Sequence, residues 1–175
     1  MHLFHGDITI RNAVPSDAAL LCSWWNDGEV MAHAGFPNGL GITEEKVIRQ
    51  IEAETDDTTR RHIILYKDVP IGEMNYRQKD EATCEMGIKI CVKDMQEKGL
   101  GRVILSMFIT GLFKERGYKK IVLDTNLTNK RAQHVYEKLG FSKLRVNYDS
   151  WTDQLGRKQS SVDYELTEGE LIPYI

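Results

Sequence analysis

The chain has 175 residues, 41% of them hydrophobic and 28% charged, and a formal net charge of −3. This length suits one domain, residues 1–175, with enough core to stand without disulfide or metal staples. The slight acidity and the lack of any long Lys/Arg run exclude nucleic acid as the main partner, and no apolar run nears the roughly 18 residues of a membrane span.

Cys22, Cys84 and Cys91 are too few and too irregular for a disulfide framework, and no CxxC pair suggests a structural metal. The opening residues lack a basic stretch followed by an apolar one, so no signal peptide is expected and the cytoplasm is the expected location.

Ile8 to Asn12 alternates apolar and polar residues and reads as a short strand. Pro15-Ser16-Asp17 opens a helix, with Ser16 as its expected N-cap, and Leu20, Leu21, Trp24 and Trp25 follow at helical spacing. Phe36 to Gly41 is a loop by its Gly, Pro and Asn content. Thr43 then caps a second helix whose Val47, Ile48 and Ile51 share a face. Three strand-like segments follow, His62–Tyr66, Ile71–Tyr76 and Cys84–Val92, joined by short polar turns that imply an antiparallel meander. In the third, Cys84, Met86, Ile88, Ile90 and Val92 alternate with Glu85, Gly87, Lys89 and Cys91.

After Gly99 the period becomes helical through Val103, Ile104, Met107, Phe108 and Leu112, ending at Arg116-Gly117. Ile121–Thr125 is a strand and Ala132–Leu139 a helix stopped by Gly140. Phe141–Asp149 and Gln159–Leu166 are two more strands around a turn. A strand, helix and strand across Val92 to Thr125 make a parallel crossover, so the fold class is α/β with a mixed, mostly antiparallel sheet.

Two segments carry chemistry. Gln96-Glu97-Lys98-Gly99-Leu100-Gly101-Arg102 lies between a strand and a helix, where exposed backbone N–H groups and the helix dipole favour an anion such as pyrophosphate. No GxGxxG and no GxxxxGK[ST] is present. The second, Asn129 to Phe141, places Ala132 and Tyr136 one turn apart on one helix face. Taken singly, each residue also has a plain structural use: cap, packing position, core and stop.

Together the segments resemble the GNAT (GCN5-related N-acetyltransferase) superfamily. Gln96, Gly99 and Gly101 match its Q/R-x-x-G-x-G/A loop, and Asn129, Ala132, Tyr136, Gly140 and Phe141 match its N-x-x-A-x-x-x-Y-x-x-x-G-F segment. Ser16 to Val30 and Trp151 to Leu166 look like the branch holding ribosomal-protein N-terminal and spermidine acetyltransferases. The resemblance implies acetyl-CoA as co-substrate and no metal. It also implies a central parallel strand pair splayed at the acetyl-CoA site, with helices on both sheet faces.

At the matching positions it implies that backbone groups of Lys98, Gly99, Leu100, Gly101 and Arg102 hold the pyrophosphate. Main chain near Ile90 and Val92 would pair with the pantetheine arm, Asn129 would touch the cofactor near its acyl end, and Tyr136 would protonate the leaving thiolate. An ammonium has no lone pair, so a carboxylate must take its proton before attack. Glu85 is the chosen base, with Asp124 a second candidate. The acceptor expected is a primary amine, either a small polyamine or aminoglycoside or a protein N-terminus; the alternative is a non-catalytic acyl-CoA-binding sensor. A homodimer is compatible with the resemblance. Glu52, Glu54, Asp56 and Asp57 form either an attraction for a polycation or a solvated helix end. Cys91 is expected to be structural, His134 to lie at the surface, and Trp24 and Trp25 to be core on one side and acceptor wall on the other.

Overall fold

A computed structural model describes residues 1–175. An eight-stranded sheet forms the centre of the molecule: β1 (His2–His5), β2 (Ile8–Asn12), β3 (Thr59–Tyr66), β4 (Val69–Gln78), β5 (Thr83–Ile90), β6 (Lys120–Asn126), β7 (Ser142–Thr152) and β8 (Lys158–Thr167). Their order is β1-β2-β3-β4-β5-β6-β8-β7, and β5–β6 is the parallel pair among antiparallel neighbours. Five helices, α1 (Ala18–Trp25), α2 (Gly28–Met31), α3 (Glu44–Ala53), α4 (Leu100–Lys114) and α5 (Lys130–Lys138), cover it.

The sheet separates two apolar cores. The larger packs α4 and α5 against Met74, Tyr76, Cys84, Met86, Ile121, Leu123, Val162 and Tyr164. The smaller packs Leu21, Trp24 and Trp25 of α1 and Val47 and Ile51 of α3 against Ile63 and Cys91 on the opposite face. Alternation along β5 therefore sends Cys84 and Met86 to the first core and leaves Glu85, Gly87 and Lys89 on the α1/α3 face.

The meander and the crossover match the expected elements, and the bounds move by one to three residues. Hairpin β1–β2, turning at Gly6 with φ +56°, was not anticipated beyond Ile8–Asn12. Ser16 is not the cap of α1: Pro15–Asp17 is a 3₁₀ turn and the working side chain is Asp17. Asp17 accepts the Val14 N–H at 2.8 Å and is clamped by Arg11 from β2 at 2.8 and 2.9 Å. Thr43 does cap α3, accepting the Lys46 N–H at 3.3 Å. Val92 lies beyond β5, entering a short 3₁₀ turn.

Candidate active site

Strands β5 and β6 pair only at Thr83–Lys120, Cys84–Ile121 and Glu85–Val122. Beyond that point no ladder joins them, and a gap opens toward the Gln96–Arg102 loop. In an antiparallel ladder a residue directs its N–H and C=O to the same side, and successive residues alternate. Cys91 N–H bonds Ile71 O at 2.8 Å on the β4 side, so Met86, Ile88 and Ile90 turn their main-chain groups into the gap. Gln96 stabilises the mouth, donating its Nε2 to Ile90 O at 2.9 Å. The Val92 N–H is shared with Ile71 O at 3.1 Å and its carbonyl accepts from Met95 at 3.0 Å.

The loop ends in a left-handed Gly99, φ +75°, and no side chain caps α4. Its first N–H groups are therefore orphans at the positive end of a 15-residue helix. A Cβ on either Gly99 or Gly101 would meet nothing within 4 Å, so the protein leaves open space beside both. This is a cradle shaped for an anionic guest. Glu97, itself at φ +60°, ties the loop to α5 through Arg131 at 3.1 Å.

Tyr136 and Asn129 close the far side. Asn129 caps α5, its Oδ1 accepting the Ala132 N–H at 3.2 Å, which leaves its amide nitrogen free to donate. Tyr136 is buried between Phe141 and Tyr164, with ring centroids at 5.7 and 5.9 Å. Its hydroxyl takes no partner in the chain; burial, reinforced by the charge of Asp124, pushes the phenol up to about 12. It is therefore a proton donor, not a phenolate, at any ordinary pH.

On the α1/α3 face, Glu85 is bonded to Arg77 at 2.9 Å with Lys79 at 3.8 Å. Two residues further along each strand, Gly87 and Asp124 stand level across the widening gap. Asp124 is exposed, yet desolvation, then the charges of Glu85 and Asp163, raise its carboxyl above the ordinary range. His134 is exposed, and burial drives the Cys91 thiol up to about 12, which suits an inert packing group.

Sequence reading missed the cavity beside this face. Its volume is about 250 Å³, and Trp25, Arg61, Glu73, Asn75 and Lys89 are among its lining residues. Glu73 is only 7% exposed and accepts the Trp25 indole N–H at 2.7 Å. The signal available was a polar residue at every second position of β4, Glu73, Asn75 and Arg77. Of the acidic residues read as either an attraction for a polycation or a solvated helix end, Glu54 and Asp56 pair with Arg61, Arg60 and Arg116, while Asp57 stays exposed beside Arg116.

An uncapped helix N-terminus facing a splayed parallel pair, with a protonated phenol at the junction, defines an acyl-group transferase of the acetyl-CoA-dependent type. The sequence matches the family described as "Acetyltransferase (GNAT) domain" over residues 7–142. The chain belongs to that family and is an acyltransferase. Spermidine N-acetyltransferase from Vibrio cholerae, solved with CoA and spermine, superposes with TM-score 0.84 at 19% identity, covering 95% of this chain and 98% of that one. The ribosomal L7/L12 alpha-N-protein acetyltransferase RimL, solved with coenzyme A, gives 0.81 at 11% identity over 95% and 98%. A probable acetyltransferase gives 0.80 at 22% identity over 97% and 98%. No helix is long and apolar enough to cross a membrane.

Proposed function

We propose that this protein transfers an acetyl group from acetyl-CoA to a primary amine, by direct attack within a ternary complex. The observation that supports it most is the gap between β5 and β6 running into the uncapped start of α4. Acetyl-CoA supplies an activated thioester carbonyl; the rest of the chemistry belongs to the chain. N–H groups from Lys98, Gly99, Leu100, Gly101 and Arg102 hold the pyrophosphate. Ile90 offers its N–H to the pantetheine arm, and the Val92 carbonyl offers its second lone pair. Asn129 donates its amide nitrogen near the acyl end.

Gly87 leaves the floor of the acceptor face bare, and a Cβ there would press on Asn75 Oδ1 at 2.9 Å. The amine sits over this floor. Asp124, level with Gly87 and with its affinity for protons raised, accepts its proton, directly or through one water. Glu85, bonded to Arg77 with Lys79 nearby, raises the proton affinity of Asp124 through its charge. Tyr136 delivers a proton to the departing sulfur.

The test is thiol release from acetyl-CoA with a panel of polyamines, aminoglycosides and N-terminal peptides, beside calorimetry of CoA against ATP. Turnover of at least one amine and binding of CoA in preference to ATP are expected. CoA binding without turnover of any amine would favour the sensor reading instead.

A further inference from the structure

The acceptor face is divided by charge along β5. At one end stand Glu85 and Asp124, with Asp163 on β8 tied to Arg145 at 2.8 Å. At the other end the cavity holds Arg61 and Lys89. Its carboxylates are spent. Glu73 Oε1 accepts from Trp25 and faces Lys89 Nζ at 3.7 Å, while its Oε2 faces Arg61 Nε at 3.5 Å. Glu54 Oε2 takes the Arg61 backbone N–H at 2.8 Å and its Oε1 meets Arg61 Nη1 at 3.1 Å.

Donors, by contrast, are in surplus. The 3.7 Å contact of Lys89 is beyond hydrogen-bond reach, and its ammonium, 31% exposed, has all three donors to give. The Arg61 guanidinium lies over the Trp25 ring at 4.5 Å, its enclosed Nε and Nη1 held at ion-pair distance from Glu73 and Glu54. With Arg61 matched by Glu54 and Glu73, the free donors are those of Lys89, which favour an anion over a second ammonium.

Building on the acetyl-transfer reading, we propose that the acceptor is an amine bearing a carboxylate, its amine over Gly87 beside Asp124 and its carboxylate in the cavity at Lys89 and Arg61. Two residues along a strand span about 6.5 Å. Amine and carboxylate are thus four or five bonds apart. A short ω-amino acid has that span, and so does an acidic first residue on a peptide. Lys89 is the specificity-determining residue, and Glu73, held by the Trp25 indole, positions it.

The full-length chain is assayed for thiol release with 4-aminobutyrate against 4-aminobutanamide, and with a peptide beginning in Glu against one beginning in Gln. Spermidine is the polycationic comparison. In at least one pair the carboxylate member should lead by tenfold or more in kcat/KM, and the pair that does so names the source. Lys89→Met should collapse that preference to within about twofold, a loss of about 1 kcal/mol of discrimination. A lead for the amides or for spermidine overturns the proposal. The same acceptors titrated calorimetrically into the protein–CoA complex give a readout independent of turnover, and equal affinity for acid and amide overturns it as well. Failure of CoA itself to bind rejects the acetyl-transfer reading and the proposal with it; tight CoA binding with a taste for polycations rejects only the carboxylate.

Discussion

In the proposed reaction Tyr136 gives a proton and Asp124 takes one. Because the phenol stays protonated to about 12, Tyr136→Phe should lower kcat by about 100-fold, within the range for a lost general acid, while the CoA dissociation constant stays within about twofold. Stopped thiol-release kinetics and calorimetry check both halves; an unchanged kcat removes Tyr136 from the mechanism. Asp124 must be ionised to accept a proton, and its affinity for protons is raised, so activity falls with acid sooner than for an ordinary carboxylate. Asp124→Asn should cost at least tenfold in kcat/KM and erase that acid limb from the pH profile. A surviving limb in the variant would assign it elsewhere.

His62 makes a prediction about stability. It is fully buried against Phe108, 4.9 Å away edge to face, with neither ring nitrogen bonded, and burial lowers its pKa from 6.5 to about 3. The unfolded chain therefore binds the proton more readily than the native one. Stability is full above pH 6.5 and is lost as pH falls from there toward 3, by about 1.4 kcal/mol per pH unit. Urea unfolding at pH 7 and pH 5 should show a loss about 2 kcal/mol larger in the wild type than in His62→Leu. Equal losses would mean that the imidazole finds a partner in solution.

At the scale of elements, the phosphate loop and α5 were legible because their information is local: glycines at fixed offsets, a cap, a stop. The same holds for Thr43 and for the alternation of β5. Ser16 misled because the deciding contact, Arg11 with Asp17, joins two elements. The cluster of Glu73, Lys89 and Arg61 was hidden for the same reason, since it exists only in the register of β3, β4 and β5. Nor does composition reveal that Glu54 and Asp56 are paired with arginines. The loop itself can be tested. Gly101 is not in the left-handed region and a Cβ there meets no protein atom, so Gly101→Ala should leave the melting temperature of the ligand-free protein undiminished. The same methyl fills the cradle and should weaken CoA binding at least tenfold by calorimetry. Undiminished affinity would move the phosphates off this helix end.

Across the whole molecule, the tip of the β7–β8 hairpin reaches over to the loop after α2. Asp153 organises that tip, accepting the Leu155 and Arg157 N–H groups at 2.9 Å each. Gln154 then reaches the loop after α2, donating to Gly39 O at 3.0 Å and accepting the Asn38 N–H at 2.9 Å. Its own N–H bonds Gly35 O at 2.8 Å, and Gly35 packs so tightly on Trp151 that a Cβ would sit 2.4 Å from the indole. Gln154→Ala should loosen the wall formed by Leu40 and Ile42, raising KM for the acceptor several-fold with the KM for acetyl-CoA unchanged. Steady-state kinetics with both substrates varied distinguish this from a general loss of folding, which would lower activity toward both.

The hairpin tip thus acts on the cavity at one remove. None of residues 153–156 lines the cavity beside Trp25, yet they hold the stretch of loop that does. Lengthening or regrafting four residues there would shift the cavity wall while leaving the phosphate cradle and the catalytic pair in place. In this architecture a new acceptor can be acquired at a site remote in sequence from everything the acceptor touches.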